Sequence, residues 1–179
     1  MAGPRLGDDA TVCGGGQNQA LEAASTVAGG ELNMAMAGGA TVVGGANNMA
    51  VGMDAVVVGG IYNKASGDGG VVAGGEYNVA ASLHATVVGG VLNAATHDHG
   101  VVAGGMANTA SHNFSVIVGG GYNQAGGWFR TSTRPTSNRR KTAIGGPPFA
   151  RARVNAHTMA FRTVSHQKLS PRVCMSIEL

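Results

Sequence analysis

Hydrophobic and polar positions along residues 8–127 repeat with a period of 15 residues. A valine or isoleucine recurs at this spacing, at Val12, Val27, Val42, Val57, Val72, Val87, Val102 and Ile117. A Gly-Gly pair follows two residues later in each repeat, beginning at Gly14, Gly29, Gly44, Gly59, Gly74, Gly89, Gly104 and Gly119. Four residues after the first glycine is an asparagine, at Asn18, Asn33, Asn48, Asn63, Asn78, Asn93, Asn108 and Asn123. An alanine lies two residues further on, from Ala20 to Ala125. Such self-similarity at a fixed period indicates a repeat protein.

The length of the repeat determines the class of fold that we predict. Helical repeats contain two helices and need about 33 residues or more. A shorter unit that is rich in Gly, Val and Thr, with no 3.6-residue apolar pattern, predicts β-strands instead. We therefore predict an all-β, single-chain parallel β-solenoid of eight coils, each with two short strands and two turns. The predicted boundaries are an N-terminal lead-in at 1–7, the solenoid at 8–129 and a basic tail at 130–179.

Side chains alternate between the two faces of a strand, so the repeat also predicts which residues point inward. In the first strand Val12 faces the interior and Thr11 faces outward, while in the second strand Asn18 and Ala20 face inward. We call the eight asparagines the Asn ladder. Asparagine tolerates a left-handed backbone and can bond to its own turn and to the next coil, which favours a structural role. The Gly-Gly pairs are expected to supply positive φ at the corner between strands. They are not phosphate-binding loops, since no helix and no Gly-Lys-Ser/Thr sequence follows.

The outward face of the first strand forms an almost uncharged surface along the whole solenoid. We call it the Val/Thr strip: Thr11, Thr26, Thr41, Val43, Val56, Val58, Val71, Thr86, Val88, Val101, Val116 and Val118. Cys13, Ala28, Ala73 and Ala103 fill the remaining places. Monomeric proteins rarely expose a contiguous apolar patch larger than several hundred Å². We predict that the strip is an oligomer interface, with a ligand, ice or the tail as alternative occupants.

The unit Ala-Thr-Val-Val-Gly-Gly-x-x-Asn-x-Ala-x-Gly, clearest at 40–52 and 55–67, resembles the head repeat of trimeric autotransporter adhesins. It equally resembles related repeats in bacteriophage tail fibres. The resemblance covers roughly residues 8–127. It implies a left-handed parallel β-roll that trimerises through one sheet and acts as a stiff adhesive projection. The implied partners are further copies of the chain and a surface receptor, fibre or particle, at an extracellular surface or on a virion. The coiled-coil stalk and membrane anchor of the adhesins have no counterpart here.

The repeat also resembles that of ryegrass antifreeze protein, which stacks coils with an Asn-x-Val-x-Gly pattern and presents a flat, threonine-bearing face. The corresponding face here carries Thr11, Thr26, Thr41 and Thr86, and valine in the other four coils. It therefore lacks a regular double row of threonines. Binding of ice, or of another flat ligand, through the strip is an alternative hypothesis.

Catalytic and metal-binding residues are not evident in the sequence. His84 and His99 are 15 residues apart, as are His97 and His112, so each pair is predicted to stack in neighbouring coils. These four are weak candidates for a metal-binding or pH-sensitive patch, and a solvated polar edge is the preferred interpretation. No arrangement resembles a nucleophile with its base, and a thin coil packed with Val and Ala offers no cleft. We predict a non-enzymatic protein without a cofactor.

Charge divides the chain into two regions. Residues 1–129 contain eight acidic residues against Arg5 and Lys64, a balance of −6, whereas residues 130–179 contain ten Lys/Arg against Glu178, a balance of +9. Trp128 and Phe129 are expected to cap the last coil. The stretch 130–141 has the composition of a polar linker, and 152–164 and 172–179 are candidates for short strands.

The basic tail provides a third hypothesis, binding of nucleic acid or another polyanion. Its candidate residues are Arg134, Arg139, Arg140 and Lys141. The run has no interleaved aromatic residues, which makes it a weak signal for nucleic-acid binding. The N-terminal residues show no apolar stretch typical of a signal peptide, and no 18-residue apolar run predicts a membrane span.

Overall fold

The computed structural model describes residues 7–127 and 131–132, and these residues form an all-β parallel β-solenoid with a 15-residue spacing. Each strand is two residues long. In chain order the strands are β1 (Thr11–Val12), β2 (Gln19–Ala20), β3 (Thr26–Val27), β4 (Met34–Ala35), β5 (Thr41–Val42), β6 (Met49–Ala50), β7 (Val56–Val57), β8 (Lys64–Ala65), β9 (Val71–Val72), β10 (Val79–Ala80), β11 (Thr86–Val87), β12 (Ala94–Ala95), β13 (Val101–Val102), β14 (Thr109–Ala110), β15 (Val116–Ile117), β16 (Gln124–Ala125) and β17 (Thr131–Ser132). Within this described part of the chain there is no helix able to cross a membrane.

Two parallel sheets run along the solenoid. The odd-numbered strands form a nine-stranded first sheet and the even-numbered strands an eight-stranded second sheet, each in sequential order. Every strand pairs with its counterpart 15 residues away, as Val57 does with Val72 and Ala65 with Ala80. This register places identical repeat positions on neighbouring rungs, so each repeat position becomes a column along the solenoid.

A third line of backbone pairing, which the repeat did not predict, follows the Gly-Gly pairs. Single bridges join the residue after each pair to its counterpart in the next coil, as between Ala46 and Ile61. The residue that follows donates its N–H in the opposite direction, as Tyr62 does to the Ala46 carbonyl at 3.0 Å. The corner between the two sheets is therefore tied by backbone hydrogen bonds in both directions along the solenoid.

The interior is built from the columns that the sequence assigned to it. The Val column is fully buried from Val27 onwards, and the Ala column is buried from Ala20 to Ala125. A column of small residues adds to the core where the chain enters the first sheet, with Ser25, Ala40 and Ala55 among its buried members. Because alanine and other small residues face valine, the two sheets approach closely and leave little room for larger side chains.

The first sheet extends beyond the last Gly-Gly repeat. In β17, Thr131 pairs with Val116 and Ser132 with Ile117, in the same 15-residue register as the other strands. The predicted polar linker at 130–141 therefore begins with a ninth rung. Trp128, Phe129 and the candidate strands at 152–164 and 172–179 lie outside the described residues.

Candidate interaction surface

The Val/Thr strip lies on the outer face of the first sheet, as its alternation predicted. Its first row, from Thr26 to Val116, is half-buried between neighbouring rungs, while Thr11 in the outermost coil is exposed. The second row is exposed throughout, with Val58 at 46% and Val88 at 51% of full exposure. No residue of either row is charged. The isolated chain thus presents to water a row of side chains that begins with Cys13 and continues with valine or alanine in the next seven coils.

The Asn ladder holds successive coils together beneath this surface. Each asparagine lies inside the solenoid, and Nδ2 of Asn48 donates to the Gly44 carbonyl of its own coil at 2.9 Å. The same nitrogen donates to the Gly60 carbonyl of the next coil at 2.8 Å, while Oδ1 accepts the backbone N–H of Asn63 at 2.9 Å. These buried bonds hold neighbouring rungs in register.

The backbone of the corner differs in one respect from the prediction for asparagine. Positive φ occurs at the second glycine of each pair, such as Gly45 at 84°, as expected. The asparagines of the ladder are not in the left-handed region, however. The residue before each one is, as with Tyr62 at 55° before Asn63. The prediction was wrong about the backbone because the side-chain bonds of asparagine, rather than its tolerance of positive φ, select it here.

The two residues before each asparagine contribute a second exposed surface with many apolar side chains, which the sequence did not predict. We call it the Gly-Gly corner: Leu32, Ile61, Tyr62, Tyr77, Leu92, Met106 and Tyr122, all exposed. The Tyr62 and Tyr77 rings stack with centroids 5.0 Å apart and an interplanar angle of 7°. These residues share two columns, 16 and 17 in the first repeat. The same columns also contain Gln17, Asn47 and the exposed Glu31 and Glu76, so their apolar members do not form an uninterrupted pattern in the sequence.

The candidate histidines occupy the opposite corner, where the chain returns from the second sheet to the first. The structure brings together His84 and His99, with Nδ1 of the first 3.3 Å from Nε2 of the second. His97 and His112 stack face to face at 5.6 Å. Within residues 7–127 and 131–132 there is no group of three or more His, Cys, Asp or Glu able to hold a metal ion. The polyanion candidates Arg134, Arg139, Arg140 and Lys141 lie outside the described residues.

In comparisons with known proteins, no family model and no curated protein matches this chain. The resemblance to adhesin heads and tail fibres therefore rests on the repeat motif alone.

Proposed function

We propose that this chain is a non-enzymatic structural and adhesive module, a rigid β-solenoid that assembles as a homotrimer. The proposed setting is a fibre, a cell surface or a virus-like particle, where the rod mediates attachment or assembly. The observation that carries the proposal is the Val/Thr strip, which is uncharged, with a second row that is exposed along all eight coils of the single chain. Another copy of the same chain is the simplest partner to cover the strip, because its coils repeat at the same spacing.

The Gly-Gly corner supplies the second surface that a cyclic trimer needs. In a cyclic trimer one patch of each protomer meets a different patch on the neighbouring protomer. The chain offers two such patches. The strip has short side chains, such as Val58 and Ala73, while the corner has long ones, such as Tyr77 and Leu92. Long side chains of one protomer that pack across the shallow strip of the next would cover both surfaces.

The repeat motif supplies the adhesive part of the proposal. Its likeness to the heads of trimeric autotransporter adhesins and to phage tail-fibre repeats favours a projecting rod. The buried Asn ladder supports rigidity, because each coil is bonded to the next through side chains as well as backbone.

The solution mass of the full-length protein tests the proposal. We expect light scattering over a hundredfold dilution series to give a constant mass of three times 17.8 kDa. A stable monomer would contradict it. Such a monomer would leave the strip exposed and favour the alternative of ice or flat-ligand binding, which the shaping of ice crystals by the protein would test directly.

A further inference from the structure

The histidines at the return corner are held in a fixed relation by the backbone. His84 and His99 occupy the same position in successive coils, with φ of 50° and 55°. The N–H of His84 donates to the Asp68 carbonyl and that of His99 to the Leu83 carbonyl, both at 2.9 Å. Because the two residues share one backbone conformation on adjacent rungs, their side chains leave the corner in the same direction. The pair is thus preorganised by the repeat itself.

The two rings are tilted toward each other in a way that the neighbouring aromatic pairs are not. The planes of His84 and His99 make an angle of 59°, with ring centroids 5.2 Å apart. By contrast, His97 and His112 lie almost parallel at 9°, and Phe114 stacks on His99 at 13°. The tilt brings Nδ1 of His84 within hydrogen-bonding distance of Nε2 of His99, at 3.3 Å. Two imidazole nitrogens bound to one tetrahedral zinc ion, each at about 2.05 Å, lie roughly 3.3 Å apart.

We propose that His84 and His99 form a two-histidine site for a divalent transition metal, with Zn²⁺ as its representative ion. Imidazole nitrogen suits zinc, copper and nickel rather than calcium or magnesium. Both rings are exposed, so water can complete the coordination shell. No third His, Cys, Asp or Glu of the described residues joins the pair as a ligand group, and Asp98 and Asp68 each accept a hydrogen bond through Oδ1, from the Ser82 hydroxyl and the Met53 N–H. The coordination shell is therefore open to solvent, and the bound ion is expected to exchange readily, unlike a buried structural metal.

Zinc titration of the full-length protein by calorimetry tests this site. All variants carry H157N and H166N, which remove the two histidines outside the described residues. The test variant adds H84N and H99N, and the matched control adds H97N and H112N instead. Asparagine is chosen because it tolerates positive φ, and far-UV circular dichroism checks that each variant keeps its β-structure.

We expect the H157N/H166N parent and the H97N/H112N control to bind one zinc ion per chain, and the H84N/H99N variant to bind none. X-ray absorption of the zinc-loaded control should show two imidazole nitrogens at about 2.0–2.1 Å. Failure of the parent to bind zinc, or equal binding by the H84N/H99N variant, would overturn the proposal. If H84N/H99N does not fold, H99F replaces it, since the next coil already has Phe114 at this position. Loss of zinc binding by H99F then supports the site, and retention refutes it.

Discussion

Oδ1 of Asn63 accepts the backbone N–H of Asn78 at 2.9 Å, and the same bond links every asparagine of the ladder to the one in the next coil. The asparagine is therefore a connector between coils as well as a turn residue. Its Nδ2 also donates to glycine carbonyls in its own coil and, as far as Asn108, in the following one. Each ladder residue thus satisfies buried backbone groups that belong to two coils.

Asn78→Ala should destabilise the solenoid strongly. The substitution leaves the Asn93 N–H without the acceptor that it has in the native protein, and removes one donor from the Gly74 and Gly90 carbonyls. Leaving a buried polar group unsatisfied costs about 1–3 kcal/mol. We expect the free energy of unfolding in urea to fall by about 3 kcal/mol. Asn113→Ala, in a half-exposed loop, is the control and should change it by less than about 0.5 kcal/mol; equal effects would contradict a special role for the ladder.

The two glycines of a pair should respond differently to alanine. Gly75 has a φ of 84°, and an added Cβ would collide with the Gly90 carbonyl oxygen, whereas at Gly74 a Cβ meets nothing within 4 Å. Left-handed strain alone costs of order 1–3 kcal/mol, and the collision adds to it. We expect Gly75→Ala to lower the free energy of unfolding by at least about 2 kcal/mol and Gly74→Ala to leave it nearly unchanged. Thermal unfolding followed by circular dichroism measures both, and similar melting temperatures would refute the distinction.

Most of the interior could be predicted from the sequence because one constraint acts on every coil. A column that contains Val in nearly every coil, facing a column of Ala, indicates an interior space of constant size. Both columns are buried, as the alternation of the strands predicted. The asparagine bonds were predictable for the same reason. The left-handed backbone was placed one residue too late, since Tyr62 and Leu32 give no turn signal by themselves. The sequence indicates a left-handed backbone here only by the absence of β-branched residues from the column that contains Leu32 and Tyr62.

The surfaces were predicted less completely, because nothing inside the solenoid constrains them. The Val/Thr strip could be recognised because neither of its rows contains a charged residue. The columns of the Gly-Gly corner, by contrast, range from Gln17 and Glu31 to Tyr122, so their apolar members form a surface only in the folded chain. The ninth rung escaped prediction because Ser132 replaces the valine that defines the column. The sequence motif ends where the side chains change, whereas the backbone pairing continues for at least one more rung.

The narrow core predicts that an inward alanine cannot be enlarged. Ala80 is fully buried, while Val79 beside it is half-buried and points outward from the second sheet. Overpacking a dense interior typically costs about 1–3 kcal/mol. We expect Ala80→Leu to reduce the free energy of unfolding in urea by that amount, and Val79→Leu to change it little. Should Val79→Leu prove the more damaging substitution, the assignment of faces in the second sheet would be wrong.

Charged substitutions on the Val/Thr strip can distinguish an effect on assembly from an effect on folding. Val58 and Val88 point outward from the first sheet, so Val58→Lys and Val88→Lys together should leave the coils intact and place two ammonium groups in the proposed interface. Burying unpaired charges costs several kcal/mol each, which is enough to dissociate most assemblies. We expect light scattering to give 17.8 kDa for this variant, with an unchanged circular dichroism spectrum.

The control, Gln19→Lys with Thr109→Lys, adds the same charge to the outer face of the second sheet and should remain trimeric. If the Val58/Val88 variant keeps the trimer mass, the strip is not the interface; if only the control dissociates, assembly uses the second sheet instead.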